Sequence, residues 1–181
     1  MINTNYQKET LFELKLLDWY WVNESKDNSE DLCLHGNVYV RIDSDVAANS
    51  YSCTVSASGL YLLRSILSDH TSECEHMFPC CGHFMIPADD LASVDISGCP
   101  NGIQLLVTHV DNDVKITTEA DNDVFVPLEE YKEIIKPFVQ EIEQIYKQYP
   151  RTLPKDEFER NGYAAFWNEW RGLKQRIFTE V

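Results

Sequence analysis

Between residues 74 and 83 the chain reads Cys74-Glu75-His76-Met77-Phe78-Pro79-Cys80-Cys81-Gly82-His83, so three of its six cysteines and two of its five histidines fall within ten residues. Thiolate and imidazole are the ligands of a tetrahedral zinc site, and a metal-binding enzyme is the chemistry this cluster would serve. The spacing argues against it. Zinc patterns pair two C-x2-C turns, whereas Cys80 and Cys81 are adjacent, cannot easily both face one ion, and have no second half elsewhere. Small thiols packed at a strand edge account for them without a metal. Cys81 beside Gly82 and His83 also places a thiol near an imidazole, but neither a nucleophile elbow nor a third orienting group accompanies them. Paired carboxylates such as Asp89 and Asp90 are commonplace among thirty acidic residues, and nothing selects two of them as acid and base. The sequence therefore predicts no catalytic residue, no bound metal and no cofactor.

Two further constellations are acidic. Asp111-Asn112-Asp113 and Asp121-Asn122-Asp123 have the beginnings of calcium loops, but neither continues into the glycine and distal glutamate of an EF-hand. As turns they need no ion, because Asx side chains satisfy local backbone donors. Collectively they matter more. If both turns project from one edge of a sheet beside Asp43, Asp45 and the 24–31 loop, the six residues Asp43, Asp45, Asp111, Asp113, Asp121 and Asp123 form an anionic face for a basic protein partner.

The charge of the whole chain points the same way. Its formal net charge is -15, of which residues 1–127 carry -14 and residues 128–181 only -1. A field of that sign repels phosphates and anionic lipid headgroups and attracts basic proteins, so nucleic-acid and membrane partners are disfavoured. The first ten residues lack an apolar core behind a basic start, and no apolar run approaches the ~20 residues that span a bilayer. A cytoplasmic chain with reduced thiols is expected.

The elements that must position these groups are strands first and helices last. Residues 11–22 alternate Phe12, Leu14 and Leu16 against Glu13 and Lys15, then crowd into Trp19, Tyr20 and Trp21, which predicts a strand with a bulge near Asp18. Residues 32–42 and 51–57 read as two more strands. Leu60, Leu63 and Leu67 predict a short helix near 58–67, with Ser58 as its N-cap. A brief strand over 84–86 precedes an antiparallel meander over 93–126, in which Cys99-Pro100-Asn101-Gly102 and the two Asp-Asn-Asp sequences are turns and 103–110 is one strand. From Pro127 the apolar period changes from 2 to 3.6. Tyr131, Ile134, Ile135, Phe138, Ile142, Ile145 and Tyr146 form one helical stripe, with Pro137 on the opposite side; Tyr163, Phe166, Trp167, Trp170, Leu173 and Ile177 form another. The prediction is a single α+β domain over 1–181. It comprises an antiparallel meander, one short inserted helix and two amphipathic C-terminal helices on one face, with residues 1–10 flexible and Trp167 and Trp170 neighbouring the Trp-rich first strand.

The segments Gly102-Ile103 to His109, Val124 to Tyr131, Leu153-Pro154-Lys155-Asp156-Glu157-Phe158-Glu159-Arg160 and Gly162-Tyr163-Ala164-Ala165-Phe166-Trp167-Asn168-Glu169-Trp170 resemble a tail of uncharacterised bacterial cytosolic proteins, some of them similar to immunity proteins of polymorphic or contact-dependent toxin systems. The resemblance covers the last half of the chain and its motifs are structural, so it carries over no functional residue. It implies an acidic protein that binds a cognate toxin domain, commonly a nuclease, and blocks it. A nuclease holds phosphates with basic side chains, and a carboxylate-rich inhibitor matches that surface and gains electrostatically steered association.

Overall fold

A computed structural model describes residues 10–22, 29–71, 75–81, 84–98 and 100–178. The expected flexibility of residues 1–10 falls outside them except at Thr10, as do Cys74, Gly82, His83, Cys99 and most of the 24–31 loop. The architecture is α+β.

The first sheet has the order β1-β2-β3, formed by β1 (Phe12–Trp21), β2 (Leu34–Ile42) and β3 (Asp45–Cys53), all antiparallel. The bulge lies where alternation breaks, between Leu16 and Asp18. Asp18 holds it by accepting the backbone N–H of Asn37 at 3.1 Å and its amide at 2.8 Å. Gly36 permits the bulged backbone to approach, since a β-carbon there would lie 2.4 Å from the Asp18 carbonyl. Beyond the bulge Trp21 turns into the core, and Tyr20 faces out beside its cross-strand partner His35.

The third strand corrects the expected 51–57. A tight turn at Asp43 and Ser44 returns the chain at once, so β3 begins at Asp45 and stops at Cys53, and residues 55–57 are already helical. Helix α1 (Val55–Leu67) has Thr54 at its N-cap position. Ser58, expected as the cap, sits inside the helix, where its hydroxyl donates back to the Thr54 carbonyl at 3.2 Å. A serine followed by glycine mimics a helix start, but burial of Val55 and Ala57 against the core extends the helix by a turn.

The meander is shorter than expected. Its three strands are β8 (Leu105–Val110), β9 (Asp113–Thr118) and β10 (Asp123–Pro127), paired in the order β10-β9-β8. The expected single strand over 103–110 breaks at Gln104. Ahead of it β7 (Gly102–Ile103) pairs instead with β4 (Phe78–Pro79), while β6 (Val94–Ser97) forms a hairpin with β5 (Phe84–Pro87). Residues 94–96 are therefore strand, but not part of the meander. Alternating patterns predict strands, and only long-range pairing says which strands meet.

Helices α2 (Leu128–Gln148) and α3 (Glu157–Phe178) follow the two apolar stripes. They do not share one sheet face. Helix α2 packs against α1, β1 and the meander, whereas α3 packs on α1 and the β5-β6 hairpin. Arg64 of α1 locks α3 in place with a two-pronged ion pair to Glu169, at 2.7 and 2.9 Å, while Glu169 also accepts the Val94 N–H at 2.8 Å. Trp21 meets Tyr146 edge-on with ring centroids 5.2 Å apart, Tyr146 meets Trp167 at 4.8 Å, and Trp167 meets Trp170 at 5.5 Å. The first strand and the last helix thus join through an α2 tyrosine.

Candidate functional site

The end of β1, the stretch from Glu30 to His35, Cys80-Cys81, the start of β5 and the entry to α3 enclose a cavity of about 620 Å³. Each wall has an identifiable brace. Ser29 and Thr152 join through their hydroxyls at 2.7 Å and through a 2.6 Å bond from Thr152 N–H to the Ser29 carbonyl, tying the 29–31 stretch to the α2-α3 connection. Asp31 accepts the Val22 N–H at 2.7 Å and the Cys33 N–H at 3.0 Å, which fixes both sides of the loop with one carboxylate. The Leu34 N–H donates to the Tyr146 hydroxyl at 3.0 Å, and that hydroxyl donates to the Leu32 carbonyl at 2.8 Å. On the far side, Gly162 lets α3 lie directly on β5, because a β-carbon there would be 2.0 Å from the Met85 carbonyl. That close approach brings Phe158 and Glu159 over the cavity.

Within the cavity the chemistry is uneven. His35 is buried with its ring stacked on Tyr20, centroids 5.7 Å apart, and its Nδ1 has no hydrogen-bond partner. The nearest carboxylate, Asp31, stands 4.0 Å away. Burial lowers the His35 pKa below the usual imidazole range, and the Asp31 charge and the Cys33 backbone only partly offset this, so the ring is neutral near pH 7. Cys80 and Cys81 turn toward each other, with sulfurs 3.5 Å apart, so the two adjacent thiols converge as their sequence spacing did not suggest. Cys33 also lines the cavity. By contrast Cys53 is sealed beneath α1, where burial pushes its thiol up to about 12 and makes it unreactive.

The rim is apolar and open: Phe84 is 68% exposed, Phe158 48%, Val22 47% and Tyr20 39%. The lining carries the carboxylates of Glu30, Asp31 and Glu159 and, among the described lining residues, no lysine or arginine. A neutral imidazole, three carboxylates and thiols make a surface far richer in acceptors than in donors. Its chemistry suits a donor-rich, cationic group with an apolar stem.

Of the cluster over 74–83, only Cys80 and Cys81 line this cavity; His76 is half-buried against Gly102, and Cys74 and His83 lie outside the described residues. Among the described residues no group of three or more His, Cys, Asp or Glu side chains has a metal-holding arrangement.

The acidic turns are divided. Asp45 accepts the Asn122 amide at 3.3 Å and the Thr118 hydroxyl at 3.5 Å, which joins Asp43 and Asp45 on the β2-β3 turn to Asp121 and Asp123 on the β9-β10 turn. Asp111 and Asp113 stand at the other end of β9, a strand length of about 17 Å away. The two Asp-Asn-Asp sequences therefore do not share an edge, because successive turns of a meander alternate between its ends. Asp123 is engaged locally, taking the Thr117 hydroxyl at 2.6 Å and Lys115 at 3.3 Å. Asp43, Asp111 and Asp121 adopt positive φ, as turn residues do.

His35, Glu159 and the aromatic rim escaped sequence reasoning. Their only linear signals were a histidine inside a strand and a phenylalanine ahead of a helical stripe, and neither distinguishes a cavity from packing. Comparison with family models, curated proteins and solved structures gives no significant match. Among the described residues no helix is long and apolar enough to cross a membrane.

Proposed function

We propose that this chain is a stoichiometric protein inhibitor of the immunity type, which binds a basic toxin domain in the bacterial cytoplasm and blocks it. One observation carries the proposal: an open apolar rim surrounds a cavity lined by three carboxylates and, among its described residues, by no lysine or arginine. Exposed aromatics around a concave, charged centre are the composition of a binding hot spot. The net charge of -15 supports the reading, since it accelerates encounter with a positively charged partner and disfavours nucleic acid. The resemblance of the C-terminal half to immunity-like proteins supports it independently. In this scheme the cavity supplies the short-range contacts, and Asp43, Asp45, Asp121 and Asp123 supply long-range attraction.

The test is co-expression with the product of the gene immediately upstream. A complex that co-purifies, loosens at high salt, and relieves growth arrest caused by the upstream product alone is the expected result. A harmless upstream product that forms no complex would sink the proposal.

A further inference from the structure

The sulfurs of Cys80 and Cys81 lie 3.5 Å apart on the cavity wall, an arrangement that adjacent residues do not reach by default. In an extended strand successive side chains point to opposite faces, which would send the two thiols apart. Here the backbone leaves β4 and bends at both residues, so their side chains meet. The approach to the bend is held from two sides. The Cys80 N–H donates to the Asn101 carbonyl at 3.0 Å, and the Thr54 N–H at the start of α1 donates to the Pro79 carbonyl at 2.9 Å. Both thiols are half-buried, whereas Cys53 is sealed within the core. The result is a pre-organised dithiol lining an open cavity.

The ways of closing such a pair differ in the sulfur-to-sulfur span they need. A disulfide ordinarily joins α-carbons ~4.4–6.8 Å apart, whereas adjacent α-carbons are ~3.8 Å apart, so this pair closes on itself only with strain. A linear ion with ~2.3 Å bonds to sulfur spreads the pair to about 4.6 Å, and a tetrahedral one holds it at about 3.8 Å but demands two more ligands. Among the described residues no third His, Cys, Asp or Glu joins the pair in a metal-holding group. A pyramidal centre with bond angles near a right angle spans about 3.3 Å at the same bond length, close to the observed distance. It needs one further substituent, which it can bring itself. Trivalent arsenic bonded to one carbon is such a centre, soft enough to prefer thiolate.

We propose that Cys80 and Cys81 form a chelating site for a monosubstituted trivalent arsenical, R–As(OH)2, whose organic group R enters the cavity. Two As–S bonds replace two As–O bonds, the two thiol protons leave with the two hydroxyls as water, and no electron is transferred. Phe84, Met85 and Phe158 line the same cavity with apolar surface for R. The site is independent of the inhibitor reading, because it rests on the thiol pair and not on the carboxylates.

The experiment uses the purified, reduced full chain and phenylarsine oxide, which hydrates to the R–As(OH)2 form, with intact mass as the readout. One equivalent is expected to bind, to survive excess monothiol and to be removed by 2,3-dimercaptopropanol. Cys80→Ser or Cys81→Ser leaves one thiol and no chelate, so the monothiol concentration that strips the probe should fall about a hundredfold. Cys33→Ala should leave it unchanged, because two thiols suffice. Mapping the wild-type adduct needs no variant: cleavage at glutamate and aspartate isolates residues 76–89, which hold Cys80 and Cys81 and no other cysteine, and the probe is expected there. An adduct mapped to other residues, or retained against monothiol in either serine variant, overturns the assignment. Dependence on Cys33 overturns the two-point attachment. A wild-type chain that keeps no probe, or a pair that air closes into a disulfide resistant to glutathione, overturns the proposal as well.

Discussion

In the cavity, the Asp31 side chain is 14% exposed and braces two strands' worth of backbone, whereas Asp121, at the tip of the β9-β10 turn, stands in solvent and Asp123 beside it is 45% exposed. Both regions are acidic, yet their charges act differently. On the meander, water and salt screen each carboxylate, so the group acts through the summed field of the molecule. In the cavity, position is fixed by hydrogen bonds and the surroundings are partly apolar, so the same charge is less screened and acts at short range. Sign alone therefore does not distinguish one acidic residue from another in a chain with thirty of them; burial and hydrogen bonding do.

The largest effect that would sharpen this contrast lies under the cavity. Tyr146→Ala removes a buried ring and the hydroxyl that joins Leu34 N–H to the Leu32 carbonyl, and should cost about 4 kcal/mol by urea denaturation. Tyr146→Phe removes only the hydroxyl and should cost about 1.5 kcal/mol. A neutral Phe variant would show that the cavity floor does not depend on that bridge.

Next comes the carboxylate pair that defines the comparison. Asp31→Ala strands two backbone donors, and a loss of about 2 kcal/mol is expected, against a change within about 0.5 kcal/mol for Asp121→Asn. Equal losses would dissolve the distinction between a bracing and a solvated carboxylate.

The two regions also respond to acid in different windows. Burial lowers the pKa values of His35 and His70 below the usual 6.5. As pH falls through 6.5 the unfolded chain takes up protons that the folded chain refuses, so stability drops there and levels off only below the folded-state values. The Thr117 hydroxyl and Lys115 hold Asp123 below 3.8, so its contribution is lost only as pH falls beneath that value. Unfolding midpoints measured from about pH 7.5 to about 5.5 should decline, and less steeply in His35→Asn. A flat profile in the parent chain would mean that these imidazoles carry no such linkage.

The smallest structural disturbance should come from neutralising Asp43, Asp45, Asp121 and Asp123 with asparagine. Association with a basic partner should slow several-fold at low salt, with the dissociation rate unchanged. Faster dissociation instead would place these residues inside the contact rather than at a distance from it.

The amount legible in the sequence differs element by element. The bulge near Asp18 was readable because alternation breaks there, and the α2 and α3 stripes because a 3.6 period over many turns has no other use. Ser58 misled because a serine before a glycine is a local helix-start signal, while the real start at Val55 is set by what α1 buries. Residues 94–96 read correctly as strand but in the wrong company, since pairing is a property of two segments and each pattern describes one. Cys80 and Cys81 were visible as chemistry, but their cavity partners Asp31 and His35 lie some fifty residues earlier and Glu159 nearly eighty later.

From composition and periodicity alone came the α+β class, the helical C-terminal region and the acidic field, because charge and amphipathic period are sums over the chain that survive any folding detail. Tertiary structure alone decided that the two acidic turns point apart, that Gly162 brings α3 onto β5, and that His35 lines a carboxylate-bearing, aromatic-rimmed cavity. Those facts depend on the close approach of distant segments, which hydrogen bonding and packing specify and linear spacing does not.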